Sequence, residues 1–296
     1  MDVELVILGA GPAGLTAGMY AARARLPLVL LEKALPGGQM ASTEKVDNYP
    51  GFDEPVFGYE LAGKMEAHAR KFGVEVVQAD IGRVSAEKDR YVVETDAGES
   101  YACRALILAT GAAPVKLGIP GELEFAGKGV SYCAVCDGPF FTDLEVAVVG
   151  GGDSAVEESI YLSRVASKVH LIHRRDKLRA VKHIQEKALA EPKIIVHWDS
   201  VPVAVRGERE VEALRIRSRK DGSETDVPVG GVFFYVGLHP NTQGFEHLVE
   251  TDDRGFIITD VRMRCSRPGI FAAGDVRSKI LRQISTAVGD GAVAAY

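Results

Sequence analysis

Two thiols and a carboxyl stand together in the segment Cys133-Ala134-Val135-Cys136-Asp137. Cysteines separated by two residues can close a disulfide within one turn of chain, and a neighbouring acid can move the proton that thiol chemistry requires. A Cys-x-x-Cys pair is also half of a zinc site, but zinc asks for four N or S ligands, usually as a second close pair. Cys103 and Cys265 each stand alone, and no two of the seven histidines have ligand spacing near the first pair. The reading is therefore redox chemistry, with no metal. A working dithiol needs electrons, and a nucleotide-binding fingerprint lies on each side of it.

The first fingerprint follows a short β-rich run, residues 3 to 8, where Gly9, Gly11 and Gly14 complete a G-x-G-x-x-G. Pro12 and Ala13 open a helical stretch that runs to Ala24, and the fixed φ of proline suits that first position. The first glycine makes the turn, the second lets backbone approach a pyrophosphate, and the third lets helix and strand pack closely. A second strand, Leu28 to Leu31, ends in Glu32, placed to take ribose hydroxyls. Pro36 to Met40, which includes Gly38 and Gln39, and Asn48 to Gly51 read as loops near the carboxyl ends of the sheet. Gln39 and Asn48 there can hydrogen-bond a flavin ring, and plain surface turns are an equal reading. A helix is expected over 59 to 72, with strands near 74 to 78, 90 to 95 and 105 to 109. The last ends in the tight turn Ala109-Thr110-Gly111.

The second fingerprint begins with the strand Glu145 to Val149 and continues Gly150, Gly151, Gly152, Asp153, Ser154 and Ala155, the alanine standing for the third glycine. After a helix over 155 to 164, the strand Lys168 to Ile172 ends in His173, Arg174 and Arg175 and not in an acid. An acid there suits the free 2′-hydroxyl of NAD; Arg174, Arg175 and Arg179 offer the positive, forked donors that the 2′-phosphate of NADPH needs. His173 fits packing as well as phosphate contact. Residues 194 to 236 alternate in β fashion with a turn at Asp221-Gly222, an inserted antiparallel layer, and 239 to 241 read as a linker. A strand is expected over 255 to 258, and another over 270 to 276 that passes Gly274 and ends at the carboxylate of Asp275. A helix from near Arg282 is still running at Tyr296, so it is expected to continue past the sequence given.

The 296 residues suit about two domains. A hydrophobic content of 46% supports a real core, and a net charge of -6 without a basic run argues against nucleic acid or anionic membrane as partner. There is no apolar run of transmembrane length, and the acidic start leads straight into a strand, so no signal peptide is expected. Four cysteines, two of them closely paired, suit a reducing compartment, hence the cytoplasm.

Together these residues resemble the low-molecular-weight NADPH-dependent thioredoxin reductases along the whole chain. The most specific parts are Cys133 to Gly138, the second fingerprint with Glu157 and Glu158 behind it, His173 to Arg179, and Gly274 to Val276 with Arg282 and Gln283. The resemblance implies an α/β protein of two Rossmann-like, three-layer ββα dinucleotide-binding domains, the second inserted in the first. FAD would be held by 1–112 and 245–296, and NADPH by 113–244, which carries the dithiol. Family positions for FAD are matched by Gly9, Gly11, Gly14, Glu32, Gln39, Asn48, Asp275 and Gln283. Pro12, Ala13, Gly38, Ala109, Thr110, Gly111, Gly274 and Arg282 stand beside them. Those for NADPH are Gly150, Gly152, Asp153, Ser154, His173, Arg174, Arg175 and Arg179. Relatives are typically homodimers, and the pattern favours Cys136 as the thiol facing the flavin. Lys128 replaces a partner-holding arginine, and Pro139 replaces the first of two aromatics, with Phe140 and Phe141 following as docking patch or core.

The expected reaction passes a hydride from NADPH to FAD, two electrons to the Cys133–Cys136 disulfide, and then the dithiol's electrons to thioredoxin. Asp137 is the expected acid, its pKa raised beside an apolar ring. Because one dithiol must meet both flavin and a bulky partner, the inserted domain is expected to turn on linkers near Pro114 and Pro240. Rival readings are another protein disulfide as acceptor, glutaredoxin-like or peroxiredoxin-linked, and a nucleotide-binding redox sensor without turnover. A flavin dithiol oxidase would have no use for the second fingerprint.

Overall fold

The computed structural model describes residues 1–43, 45–46 and 48–296. The chain divides into two compact units, Met1–Ala113 with His239–Tyr296, and Pro114–Leu238. Residues 239–244 thus go with the outer unit and not with the inserted one, and Asn241 shows why. Its backbone N–H donates to Gly111 O at 3.0 Å, and its side chain donates to Thr110 O at 2.8 Å.

The outer unit opens with β1 (Asp2–Leu8), α1 (Pro12–Arg23) and β2 (Leu28–Glu32). A short hairpin, β3 (Lys45–Val46) and β4 (Val56–Phe57), leads to α2 (Gly58–Lys71), then β5 (Val76–Gln78), β6 (Ile81–Ala86), β7 (Tyr91–Thr95) and β8 (Ser100–Leu108). β1 lies between β2 and β8, parallel to both. Because such a strand is covered on both faces it reads as a continuous apolar run, and Val6, Ile7 and Leu8 are fully buried. Successive residues nevertheless enter different cores. Ile7, Leu30 and Ile107 pack with α1, while Val6, Leu31 and Leu108 pack with residues of the β6–β7 ribbon. Each such side chain contributes about 1.5–3 kcal/mol by leaving water.

β9 (Ala112–Pro114) carries the chain into the inserted unit. There β10 (Val130–Ser131) and α3 (Ala134–Asp137) precede β11 (Glu145–Gly150), α4 (Asp153–Leu162), β12 (Lys168–Ile172), α5 (Lys182–Ala190) and β13 (Ile194–His197). The unit closes with β14 (Ser200–Arg206), β15 (Ala213–Ser218), β16 (Glu224–Pro228) and β17 (Gly231–Tyr235). The five strands β10-β17-β11-β12-β13 form one parallel sheet, and β14-β15-β16 a separate antiparallel one. This corrects the expectation of a single antiparallel layer over 194 to 236. β17 lies between β10 and β11 in the parallel sheet, and Val232, Phe233 and Phe234 are buried in succession, a pattern that alternation cannot produce.

β18 (Leu238–Pro240) returns to the outer unit, where β19 (Ile270–Ala272) pairs with the second half of β8 and α6 (Ile284–Ala294) lies against α1. A Cβ on Gly291 would stand 2.1 Å from Ala13 O, so only glycine lets the two helices approach this closely. The strand expected over 255 to 258 is reduced to isolated bridges from Ile257 to Thr251 and Arg277. Asp252 accounts for this: its Oδ1 accepts from the N–H groups of Arg254 and Phe256 and so turns the chain. β6 and α5 carry no clear period and were not expected. No helix among the described residues is long and apolar enough to cross a membrane.

Candidate active site

Cys133 and Cys136 form a disulfide, with Cα atoms 5.3 Å apart. Cys133 precedes the first residue of α3 and caps it, its Sγ accepting the Cys136 N–H at 3.2 Å. Ser131, at the end of β10, accepts the N–H of Cys133 at 3.0 Å and donates its hydroxyl to Asp137 Oδ2 at 2.6 Å. Asp137 and the backbone of Cys133 are thus tied through one buried serine, which sequence reasoning passed over although it lies two residues before the first cysteine. The N–H of Ala134 donates to the hydroxyl of Tyr235 at 2.5 Å. Burial holds that phenol well above its usual pKa, and the charges of Glu158 and Asp137 add to the effect. Glu158 on α4 is itself pushed up to about 7, chiefly by burial and then by Glu157. Its Oε2 has no hydrogen-bond partner among the described residues.

Phe141 packs edge-on against Phe233, ring centroids 5.2 Å apart, and belongs to the core. Phe140 is 43% exposed, and Lys128 is exposed. Burial pushes the thiols of Cys103 and Cys265 up to about 12, so neither is a nucleophile at neutral pH.

The second fingerprint belongs to the same unit. A Cβ on Gly150 would meet Ala155 Cβ at 2.5 Å and Tyr235 O at 2.7 Å, whereas one on Gly152 meets nothing within 4 Å. Gly152 therefore leaves backbone open at the head of α4, beside the exposed Asp153 and Ser154. His173 is 3% exposed, its ring nitrogens 2.8 Å from Gly150 O and 3.0 Å from Lys177 O. It acts as a clasp between the glycine turn and the basic loop, the packing reading of the two. Arg179 N–H donates to Gly151 O at 2.7 Å, and Val181 N–H to Asp153 Oδ1 at 2.8 Å. Arg174, Arg175 and Arg179 are all exposed on this stitched loop. Arg219, not anticipated, donates to Arg174 O at 2.7 Å and steadies it.

In the outer unit the candidates scattered over the chain meet. Glu32 closes on the first glycine turn, accepting Ala10 N–H at 2.7 Å. Gly9 has φ +101°, and a Cβ there would lie 2.5 Å from Ala109 O and 3.1 Å from Thr110 Cα; one on Gly14 would lie 1.8 Å from Gly9 O. A Cβ on Gly38 would come within 3.4 Å of Gly11 Cα, while Gly11 itself is open, next to Pro12 at the head of α1. Gln39 donates to Ala112 O. Gly111, at φ +71°, makes the expected tight turn. Asn48 donates to Gln283 Oε1 at 3.1 Å, joining loops 235 positions apart. A Cβ on Gly274 would reach Ala13 Cβ at 2.9 Å. Asp275 beside it has a pKa raised by burial, and its Oδ1 has no partner among the described residues. Arg282 lies 4.0 Å over the Phe256 ring and donates to Asp275 O at 3.3 Å, burial lowering its pKa.

Sequence reasoning missed the support of this corner. Asp290 on α6 is 9% exposed and accepts from Gly274 N–H at 3.0 Å, Arg277 at 2.9 Å and Lys279 at 2.8 Å.

Two units, each with a strand, a glycine turn and a helix, one of them bearing a disulfide with a tethered acid, define a nucleotide-dependent disulfide oxidoreductase. The family model for pyridine nucleotide-disulphide oxidoreductases matches residues 3–291. The chain is 51% identical to the thioredoxin reductase of Listeria monocytogenes over 292 residues, 98% of this chain and 91% of that one. The crystal structure of thioredoxin reductase from Streptococcus pyogenes matches with a TM-score of 0.94 at 49% identity, covering 99% of this chain and 96% of that one. The Lactococcus lactis thioredoxin reductase in its FR conformation matches with a TM-score of 0.68 at 47% identity and the same coverage. The chain belongs to the thioredoxin reductase family.

Proposed function

We propose that this chain is an NADPH-dependent thioredoxin-disulfide reductase that works through FAD and the Cys133–Cys136 couple. The observation that carries the reading is the disulfide whose first cysteine and adjoining acid, Asp137, are held by the same serine.

The outer unit suits FAD. Its glycine turn leaves Gly11 open for a pyrophosphate, Glu32 offers a carboxylate at the end of β2, and the buried Asp275 Oδ1 is an acceptor left over for a ligand hydroxyl. Gly9, Gly14, Ala13, Gly38, Gln39, Asn48, Ala109, Thr110, Gly111, Gly274, Arg282 and Gln283 complete the proposed cradle. The inserted unit suits NADPH. Gly150, Gly152, Asp153 and Ser154 receive the pyrophosphate, and Arg174, Arg175 and Arg179 the 2′-phosphate, on a loop that His173 fixes. The lone acceptor Glu158 Oε2 suits an N–H donor such as a carboxamide. FAD, when bound, supplies a two-electron carrier between a hydride donor and a disulfide.

Once reduced, Cys133 as thiolate attacks one sulfur of the thioredoxin disulfide. The S–S bond breaks and the displaced thioredoxin thiolate takes a proton from Asp137. Cys136 then passes its proton to the Asp137 carboxylate and attacks Cys133 Sγ, re-forming the internal disulfide and expelling the second thioredoxin thiolate, which takes that proton. Per cycle, NADPH and one proton become NADP⁺ while one protein disulfide becomes a dithiol. We assign the cytoplasm as location, a homodimer as assembly, and turning of the inserted unit on its two linkers as the means by which one dithiol meets both reaction partners. A cross-link between units that left turnover unchanged would sink the last of these.

The test is NADPH oxidation with oxidised thioredoxin as the only acceptor. Sustained turnover is expected. Turnover with a glutaredoxin-like or peroxiredoxin-linked disulfide alone would transfer the same path to another partner, and one stoichiometric reduction without turnover would make the chain a sensor.

A further inference from the structure

The hydroxyl of Tyr235 ties the backbone of the dithiol turn to a strand of the parallel sheet 101 positions further along the chain. Tyr235 closes β17, where its own carbonyl would collide with any side chain on Gly150, so its backbone is fixed by the glycine turn of the second fingerprint. From there its hydroxyl accepts the N–H of Ala134, a fully buried residue between the two cysteines. Three further hydrogen bonds of the turn are local. Cys136 N–H reaches Cys133 Sγ, Cys133 N–H reaches Ser131, and Asp137 N–H reaches Cys133 O.

Resting on the proposed function, we infer that Tyr235 is a positioning residue that sets the reducing power of the Cys133–Cys136 couple by holding the Ala134 amide. The S–S bond and the Tyr235 hydrogen bond restrain the same few backbone torsions, so each, once formed, lowers the ordering cost of the other. The hydrogen bond therefore favours the disulfide over the freer dithiol. A disulfide so favoured is harder to reduce, which makes the dithiol a stronger reductant. An unsupported turn would give a weaker one.

The experiment compares wild type with Tyr235→Phe as FAD-loaded enzyme, equilibrated in dithiothreitol buffers of graded reduced-to-oxidised ratio, with the fraction of alkylatable Cys133 and Cys136 as readout. Losing that coupling should shift the equilibrium toward the dithiol by up to about fivefold, the whole worth of one hydrogen bond, or a rise in potential of up to about 20 mV. A merely structural role would lower the melting temperature and leave the half-reduction ratio unchanged, and that result would overturn the inference. Should the phenylalanine variant not fold, 3-fluorotyrosine at position 235 keeps the hydroxyl but weakens it as an acceptor. It should move the ratio in the same direction by a smaller factor, and an unchanged ratio would again overturn the inference. The measurement uses no thioredoxin, so failure of wild type to reduce thioredoxin would count against the proposed function alone.

Discussion

Ser131 stands between Asp137 and Cys133, its hydroxyl donating a hydrogen bond to Asp137 Oδ2 at 2.6 Å while its oxygen accepts the cysteine N–H at 3.0 Å. An asparagine at 137 keeps an oxygen to accept from Ser131, so Asp137→Asn removes the proton and spares the geometry. Electron transfer from dithiol to thioredoxin should slow by about 10²–10⁴-fold, the usual weight of general acid catalysis. NADPH-driven flavin bleaching should stay near wild type in the same stopped-flow trace. Equal loss of both steps would remove Asp137 from the role.

The basic loop makes a separate prediction about coenzyme choice. Its backbone is pinned to the glycine turn through Arg179 N–H, Val181 N–H and His173, so removing exposed guanidinium groups should not unfold it. Arg174→Ala and Arg175→Ala should each raise KM for NADPH about tenfold, the worth of one charge-assisted hydrogen bond, and leave KM for NADH unchanged. Parallel titrations with the two coenzymes decide it, and an equal rise for both would place the 2′-phosphate elsewhere.

Glu158 links stability to pH. Its pKa is raised from the usual carboxyl range to about 7, so the folded chain holds a proton that the unfolded chain releases. Stability from this group is full below the unfolded value and is lost as pH rises through about 7. Glu158→Gln should therefore stabilise the protein at pH 8 by roughly 3 kcal/mol at most and change little at pH 4. Urea denaturation at the two pH values provides the check, and a gain confined to the acid side would contradict the assignment.

Asp290 receives two cations and the amide of Gly274 in a nearly closed pocket. Asp290→Asn leaves Arg277 and Lys279 without their anion, and breaking such a buried pair costs about 3–5 kcal/mol. Thermal melting should show a large drop together with weaker flavin retention, because Gly274 loses its anchor. A variant as stable as wild type would mean that the cations find other partners.

What could be read in the sequence was what is local. The two glycine turns and the Cys-x-x-Cys pair are defined by spacings of a few residues, and Glu32 by one βαβ unit, 22 positions from the Ala10 amide it accepts. β13 and β17 were misassigned because alternation within a strand says nothing of which neighbour it will find, and both neighbours lie in the parallel sheet. Tyr235 could not be singled out, since its partner amide is 101 positions away and a tyrosine after two phenylalanines reads as core. Asp290, Arg277 and Lys279 were equally silent, as scattered charges usually mark a solvated face and only packing buries these. Ser131 was legible in principle, a hydroxyl close enough to both Cys133 and Asp137 to serve them.

The central claim is that electrons run from NADPH through flavin and the Cys133–Cys136 pair to thioredoxin. Stopped-flow absorbance of the yellow holoenzyme mixed with NADPH, then with oxidised thioredoxin, and repeated with NADH, tests it most directly. Bleaching should be much faster with NADPH than with NADH, and the colour should return as thioredoxin is reduced, with Cys136→Ser abolishing that return. Bleaching that thioredoxin leaves untouched in the unmodified protein would contradict it.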